Sequence, residues 1–341
     1  MSRRNAGEVD PGDPAAQALA RFRNDLGSLI DLERDKVLVA VSGGADSIAL
    51  LLLTHAVIGE RCIAATVDHR LREASASEAL FVGAVCRTRG IRHDILTGVL
   101  PDRVGRTANL SARARALRYR LLEEWRVARG ARWLATAHHA DDQLETFVMR
   151  ANRGAGVGGL AGIRRRSAHI IRPVLGWRRN RLAEIMLHED VVPVDDPSNS
   201  DDRFDRARLR KVLAEVDWLD AARIGDSMAA LGEADAALRW TAERAFDERV
   251  AVAPDQRSFA AADLPAEIVR RVVVRCLTEI DPAMDADGPG IARLIAALGA
   301  GRVSMLGDVL VTVVNTDAPS MRWVFRRAPP RRRDDGLSEG E

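Results

Sequence analysis

The chain has 341 residues, 47% of them apolar and 29% charged, with a formal net charge of +2. That supports a sizeable core and excludes wholesale disorder, and the longest unbroken apolar run, Ile48–Leu53, is far too short to cross a bilayer. The charge is unevenly spread, +8 over residues 1–212 against −6 over 213–341, and almost all the positive charge is arginine, so the first part is suited to face a polyanion.

Residues 1–15 read as a frayed, disordered tail. Apolar, β-branched runs at Lys36–Ser42, Arg61–Val67, Arg92–Leu96 and Arg132–Ala137 predict buried strands, separated by helical stretches near Asp46–Val57, Ser75–Arg89 and Asn109–Arg129. A fifth short strand near Ala168–Pro173 and a helix over Arg178–Glu189 complete the pattern. Strands alternating with helices of this length imply βαβ units and a doubly wound parallel sheet, an α/β domain over 16–212. After a turn-rich stretch at Asp195–Asn199 the composition becomes rich in Ala, Leu, Arg and Glu. Residues 206–250 carry helical spacing, helices follow near 265–279 and 289–298, and Arg302–Arg327 alternates like two or three short strands. This predicts a mainly helical second domain over 213–327, ending in strands, with a disordered tail at 328–341.

The N-terminal segment lacks the apolar stretch of a secretory signal, and three widely spaced cysteines, Cys62, Cys86 and Cys276, give neither a disulfide framework nor a Cys-x-x-Cys site. A cytoplasmic protein is expected, without a membrane partner.

The strongest motif is Val39-Ala40-Val41-Ser42-Gly43-Gly44-Ala45-Asp46-Ser47, which closes the first strand and opens a helix. Two glycines let the backbone turn tightly, and a helix N-terminus offers free N–H groups and positive dipole to phosphate. No lysine follows a glycine, so this is not a Walker A loop. Asp46 inside such a loop makes sense if Mg²⁺ bridges it to phosphate. Gly154, Gly156 and Gly159 spell Gly-x-Gly-x-x-Gly, but they follow a helix and not a strand, so the dinucleotide fingerprint is rejected.

A second block, Thr136-Ala137-His138-His139-Ala140-Asp141-Asp142-Gln143-Leu144-Glu145-Thr146, ends the fourth strand. A helix starting near Ala140 puts either Asp141 or Asp142 on one face with Glu145, where the carboxylates and histidines could bind a metal, orient an amine or move protons. Ser42, Asp68-His69 and His138 all follow strands, at the end where doubly wound sheets bind ligands. From Arg103 to Arg132 there are nine arginines against Glu123 and Glu124, which favours a phosphate-facing helix carrying Arg113, Arg115 and Arg118.

The first motif resembles the PP-loop of the ATP pyrophosphatase superfamily, and the ordered series resembles the tRNA(Ile)-lysidine synthetases. The series comprises Ser42–Ser47, Val67–Arg72, Asn109–Tyr119, Thr136–Thr146, Arg150, Arg153-Gly154-Ala155-Gly156, Gly159–Ile163, Arg172–Leu175 and Asp195–Asn199. The match covers about residues 20–215. Phe204-Asp205-Arg206-Ala207-Arg208-Leu209-Arg210 departs from it, with Ala207 where Asn is more usual. The short chain is similar to the compact members, with one C-terminal tRNA-interacting domain.

The resemblance implies ATP as substrate, held by Ser42, Gly43, Gly44, Ala45, Asp46, Ser47, His69 and His138, with Mg²⁺ near Asp46. It implies Asp142 and Glu145 as the lysine-binding pair, Arg115 on ATP or the adenylate, and Arg113, Arg118, Arg150 and Arg153 on tRNA. The catalytic set is then Asp46, Asp142, Glu145 and Arg115, in a monomer or homodimer. The implied reaction adenylates the wobble cytidine of an isoleucine tRNA with anticodon CAU, then joins free L-lysine to it. A tRNA thiolase would need cluster-binding cysteines, a GMP- or NAD-synthetase-like ligase would need a nitrogen source, and a degenerate RNA-binding module would have lost the phosphate loop.

Overall fold

Alternation along the first strand sets the layering. Successive side chains of a strand face opposite sides of its sheet, and in β1 (Val37–Ala40) Val37 and Val39 join one apolar cluster while Leu38 joins another. The protein is described here from a computed structural model, over residues 14–68, 73–98, 110–189, 191, 205–284, 288–314 and 321–329. The first cluster takes Phe22 and Leu26 from α1 (Pro14–Gly27), Ile48 and Leu50–Leu53 from α2 (Ala45–Ile58), Val82 and Cys86 from α3 (Glu73–Thr88), and Leu182 and Met186 from α7 (Arg179–His188). The second takes Leu122 from α4 (Leu110–Ala128). Both faces of the sheet are therefore covered, as a buried parallel sheet requires.

The sheet order is β3-β2-β1-β4-β6-β5. β2 (Cys62–Asp68), β3 (Arg92–Thr97), β4 (Trp133–Ala135) and β6 (Ile170–Ile171) run parallel with β1, and β5 (Arg166–Ser167) pairs antiparallel with β6. The chain leaves β1 to one side for β2 and β3, then returns to the other for β4 and β6. A crevice opens beyond the carboxyl ends of β1 and β4 at such a reversal. This is the doubly wound parallel sheet expected, with two corrections. The single fifth strand is a hairpin that turns through Ala168 at φ 49°. Residues from Pro14 already form α1, whose Ala18, Phe22 and Leu26 are buried one helical turn apart.

α5 (Ala140–Ala151), α6 (Val157–Leu160) and α8 (Asp205–Ala214) complete the first compact unit, which extends to Gly232; the second begins at Glu233, within α9 (Ala221–Arg249). The composition had placed this division at 212. In the second unit β7 (Val250–Val252), β8 (Gln256–Ala260), β9 (Ser304–Leu306), β10 (Val309–Val314) and β11 (Arg322–Arg327) form an antiparallel sheet ordered β7-β8-β11-β10-β9. α10 (Ala266–Ile280) and α11 (Gly288–Gly299) pack on it through Val272, Val273, Leu277 and Leu294, around Phe259, Trp323 and Phe325. Three strands arise where two or three were expected, and the β7–β8 hairpin adds a pair that the helical spacing of the preceding residues had hidden. His69, Asn109, Asp195–Asn199 and most of both tails lie outside the described residues. Among those described, no helix is long and apolar enough to cross a membrane.

Candidate active site

The loop after β1 is held by its own groups. The Val41 N–H donates to the Ala65 carbonyl at 2.9 Å, continuing the β1–β2 ladder by one residue. Gly43 then turns at φ +94°, a conformation that glycine alone adopts without strain. Gly44 is the N-cap of α2 and provides no side-chain cap, so the helix presents its positive end to the crevice. The Ser47 hydroxyl is buried and staples the loop, accepting from the Ser42 N–H at 3.1 Å and donating to the Gly44 carbonyl at 2.9 Å. Ser47 is thus committed to the loop itself, whereas Ser42 remains exposed with its Oγ 3.3 Å from Ser47 Oγ.

Asp46 stands in the first turn of α2. Its Oδ2 lies 3.5 Å from Nε2 of His139 and 4.0 Å from Nε of Arg179, while its Oδ1 is buried with no hydrogen-bond partner. An orphaned buried carboxylate oxygen suits a cation. Among the described residues no group of three or more His, Cys, Asp or Glu side chains is disposed to hold a metal. An ion at Asp46 would therefore draw its remaining ligands from phosphate and water, the usual habit of Mg²⁺.

The second block follows β4, and the switch in strand order sets it beside the phosphate loop. His139 is the N-cap of α5, its N–H donating to Asp142 Oδ2 at 3.1 Å. Its ring is buried among three carboxylates, with Asp46 at 3.5 Å and Asp141 and Asp142 at 3.6 Å. Burial opposes its protonation, but the hydrogen bond to Asp46 and the charges of Asp142, Asp46 and Asp141 outweigh that and raise its pKa above the ordinary value. The ring of His138 turns the other way, with Nδ1 2.9 Å from the Thr136 hydroxyl. Burial, reinforced by Arg172, Arg115 and Arg206 against Asp142, pushes it down to about 4, so it is neutral at pH 7.

The three acids of this block have separated roles. Asp141 accepts the Arg179 N–H at 2.8 Å and pairs with Arg178 at 2.9 Å, pinning the start of α7. Glu145 is almost fully buried, and both of its oxygens are taken by α8, Oε2 by Nε of Arg206 and Oε1 by Nε of Arg210, each at 2.7 Å. Asp142 borders a cavity of about 420 Å³ that Glu145 does not reach. Ser42, Gly43, Gly44, Asp46 and Ser47 form one wall of that cavity, and Arg115, Arg118, His138, Asp142 and Arg206 stand around the rest.

The remaining predicted residues divide similarly. Arg115 is exposed, with its guanidinium 5.0 Å from the ring centre of Tyr119, the only tyrosine of the chain. Arg118 is also exposed on α4, Arg113 is half-buried there outside the cavity lining, and Ala45 opens α2. Arg150 turns inward, donating to the Gly159 carbonyl at 2.6 Å, so it fixes the glycine-rich loop, while Arg153 is exposed. Gln143 pins the same loop by exchanging two hydrogen bonds with the Ile163 backbone at 2.8 and 2.9 Å. Neither the motifs nor the resemblance assigns an individual role to His139, Arg206, Arg210 or Tyr119. The Phe204–Arg210 motif carried a signal for the two arginines, but nothing in its spacing tells which acid they meet.

The PP-loop domain family matches residues 14–216. A tRNA(Ile)-lysidine synthase of Novosphingobium aromaticivorans is 40% identical over 330 residues, covering 95% of this chain and 98% of that protein. One of Zymomonas mobilis is 36% identical over 306 residues, covering 87% and 90%. The chain belongs to the tRNA(Ile)-lysidine synthase family. A solved U34-tRNA thiolase of Methanococcus maripaludis with its [4Fe-4S] cluster is similar in fold, with a TM-score of 0.55 at 18% identity over 64% of this chain and 80% of that one.

Proposed function

We propose that this protein is a carbon–nitrogen ligase that joins free L-lysine to the wobble cytidine of an isoleucine tRNA with anticodon CAU, using ATP. The observation that carries the reading is one cavity bordered by the phosphate loop with Asp46, by the neutral His138 and by Asp142, with arginines between them. The ring carbonyl oxygen of the cytidine attacks the α-phosphate of ATP, and pyrophosphate leaves. The lysine ε-amine then bonds to the activated ring carbon, AMP departs, and the ammonium proton passes to solvent or phosphate. The loop N–H groups and the N-terminus of α2 would receive the charge that develops on pyrophosphate. Arg115, which lines the cavity, would meet the nucleotide or the adenylate, and Asp142 would hold an amine of lysine beside it. Mg²⁺ at Asp46, when bound, would supply charge neutralisation at the phosphates.

We assign catalysis to the first unit, which extends to Gly232, and tRNA selection to the second, from Glu233, with Arg113, Arg118 and Arg153 as exposed or half-exposed contacts for RNA in the cytoplasm. A methionine tRNA with the same anticodon is the discrimination problem for the second domain. A hundredfold preference requires only about 2.7 kcal/mol of differential contact. Among the described residues no cysteine lines the cavity, and Cys62, Cys86 and Cys276 are all buried, which disfavours thiolation. Incubation with ATP, labelled lysine and tRNA, followed by nucleoside analysis, tests the reading. Label in the tRNA with AMP and pyrophosphate as products supports it, and accumulation of ADP overturns it.

A further inference from the structure

Glu145, the acid that a substrate ammonium would be expected to approach, is closed to it. Its side chain is 3% exposed and each oxygen already accepts a guanidinium N–H at 2.7 Å. What Glu145 does instead is orient Arg206. With its Nε committed, that guanidinium directs Nη2 towards Asp142 Oδ1 and Thr146 Oγ1, both at 3.5 Å, the outer limit of a hydrogen bond. The side chain of Arg206 is 43% exposed and borders the cavity, as Asp142 does. Asp142 is held from behind by the His139 N–H, so its second oxygen faces Arg206 across a loose contact. The cavity wall thus carries one carboxylate and one guanidinium, each fixed by another partner and only weakly paired with the other.

We propose that Asp142 and Arg206 together read the zwitterionic head of a free amino acid, Asp142 taking the α-ammonium and Arg206 the α-carboxylate. This rests on lysine being the co-substrate, as proposed above. A planar guanidinium oriented by a buried acid suits a carboxylate, which it can meet through two N–H groups. Reading the head leaves the ε-amine free to extend to the activated base. It also gives the site a reason to reject a diamine of the same chain length, which offers ammonium groups but no carboxylate. Arg206 is then a specificity-determining residue, and Glu145 a positioning residue acting through it.

The test compares L-lysine, L-lysinamide and cadaverine as nucleophiles, with full-length protein, ATP and tRNA, in the wild type and in Arg206→Ala and Arg206→Lys. The wild type should prefer lysine over both analogues by about tenfold to a hundredfold, the scale of a charge-assisted hydrogen-bond pair. Arg206→Ala should raise KM for lysine by a similar factor and bring the three nucleophiles within severalfold of one another. Arg206→Lys, which keeps the charge and loses the fork, should fall between them, and it carries the comparison alone if the alanine variant does not fold. Parallel losses for lysine and cadaverine would show that Arg206 only supports the fold. A lower KM for lysine in Arg206→Ala would show that the arginine plugs the site. Either result overturns the proposal while leaving lysine as the substrate. A wild type that transfers none of the three overturns the underlying reading itself.

Discussion

Replacing Glu145 by glutamine separates a substrate ligand from a structural anchor. The carboxylate holds Arg206 and Arg210 of α8 through two hydrogen bonds at 2.7 Å and a third at 3.3 Å. A hydrogen bond to a charged group contributes about 1.5–3 kcal/mol. Glutamine keeps one acceptor oxygen but turns an NH₂ towards the other guanidinium, so one such bond is lost and one repulsive contact appears. Because the two arginine side chains remain 43% and 31% exposed, water recovers part of the loss. The net cost to docking α8 is about 2 kcal/mol, a factor of about 30 in its local opening equilibrium. Hydrogen exchange over residues 205–214 should therefore accelerate by about that factor. The KM for lysine should rise through the loosened Arg206, and ATP binding at the phosphate loop should hold. If α8 stays fully protected while lysine use collapses, Glu145 touches the substrate directly and the anchoring argument is wrong.

Three further outcomes follow from the same geometry. Asp46→Asn should suppress AMP formation at saturating lysine by at least about a hundredfold, the scale of one lost electrostatic contact in a transition state, whereas Asp142→Asn should act mainly on KM for lysine; equal, lysine-independent defects in both would misplace Asp142. Gly43→Ala should cost about 1–2 kcal/mol from the left-handed backbone at φ +94°. A Cβ there meets Glu78 and Val82 at an ordinary 3.7 Å, so an alanine variant with unchanged melting temperature and ATP affinity would contradict conformational strain as the cause. His138 titrates near 4 in the folded chain and near 6.5 when unfolded. The unfolded state binds the extra proton between those values, so this residue makes stability fall as pH drops from about 6.5 to 4. Denaturant midpoints for wild type and His138→Gln should converge towards the acid end of that window, and parallel curves would show that His138 is not buried in its neutral form.

The phosphate loop was legible because its chemistry is local. Two glycines, an acid and a serine between an apolar run and a helix describe a turn and a helix N-terminus within nine residues, and the alternation of strands with helices implies the parallel sheet. The helix over Pro14–Gly27 could have been read from Ala18, Phe22 and Leu26, but the β7–β8 hairpin is short and each strand alone is too weak a signal to separate from the helix before it. The roles of the three acids were not in the sequence. Asp141 and Asp142 can each share a helical face with Glu145, and helical spacing does not say which neighbour each will meet. That is decided by where α7 and α8 dock: α7 takes Asp141 at its N-terminus, α8 buries Glu145 under two arginines, and Asp142 is left at the cavity. Residue type and spacing determine what chemistry a segment can perform. Only tertiary packing determines which charges are neutralised in the fold and which remain for a substrate, because burial and pairing depend on elements some sixty residues away in the chain.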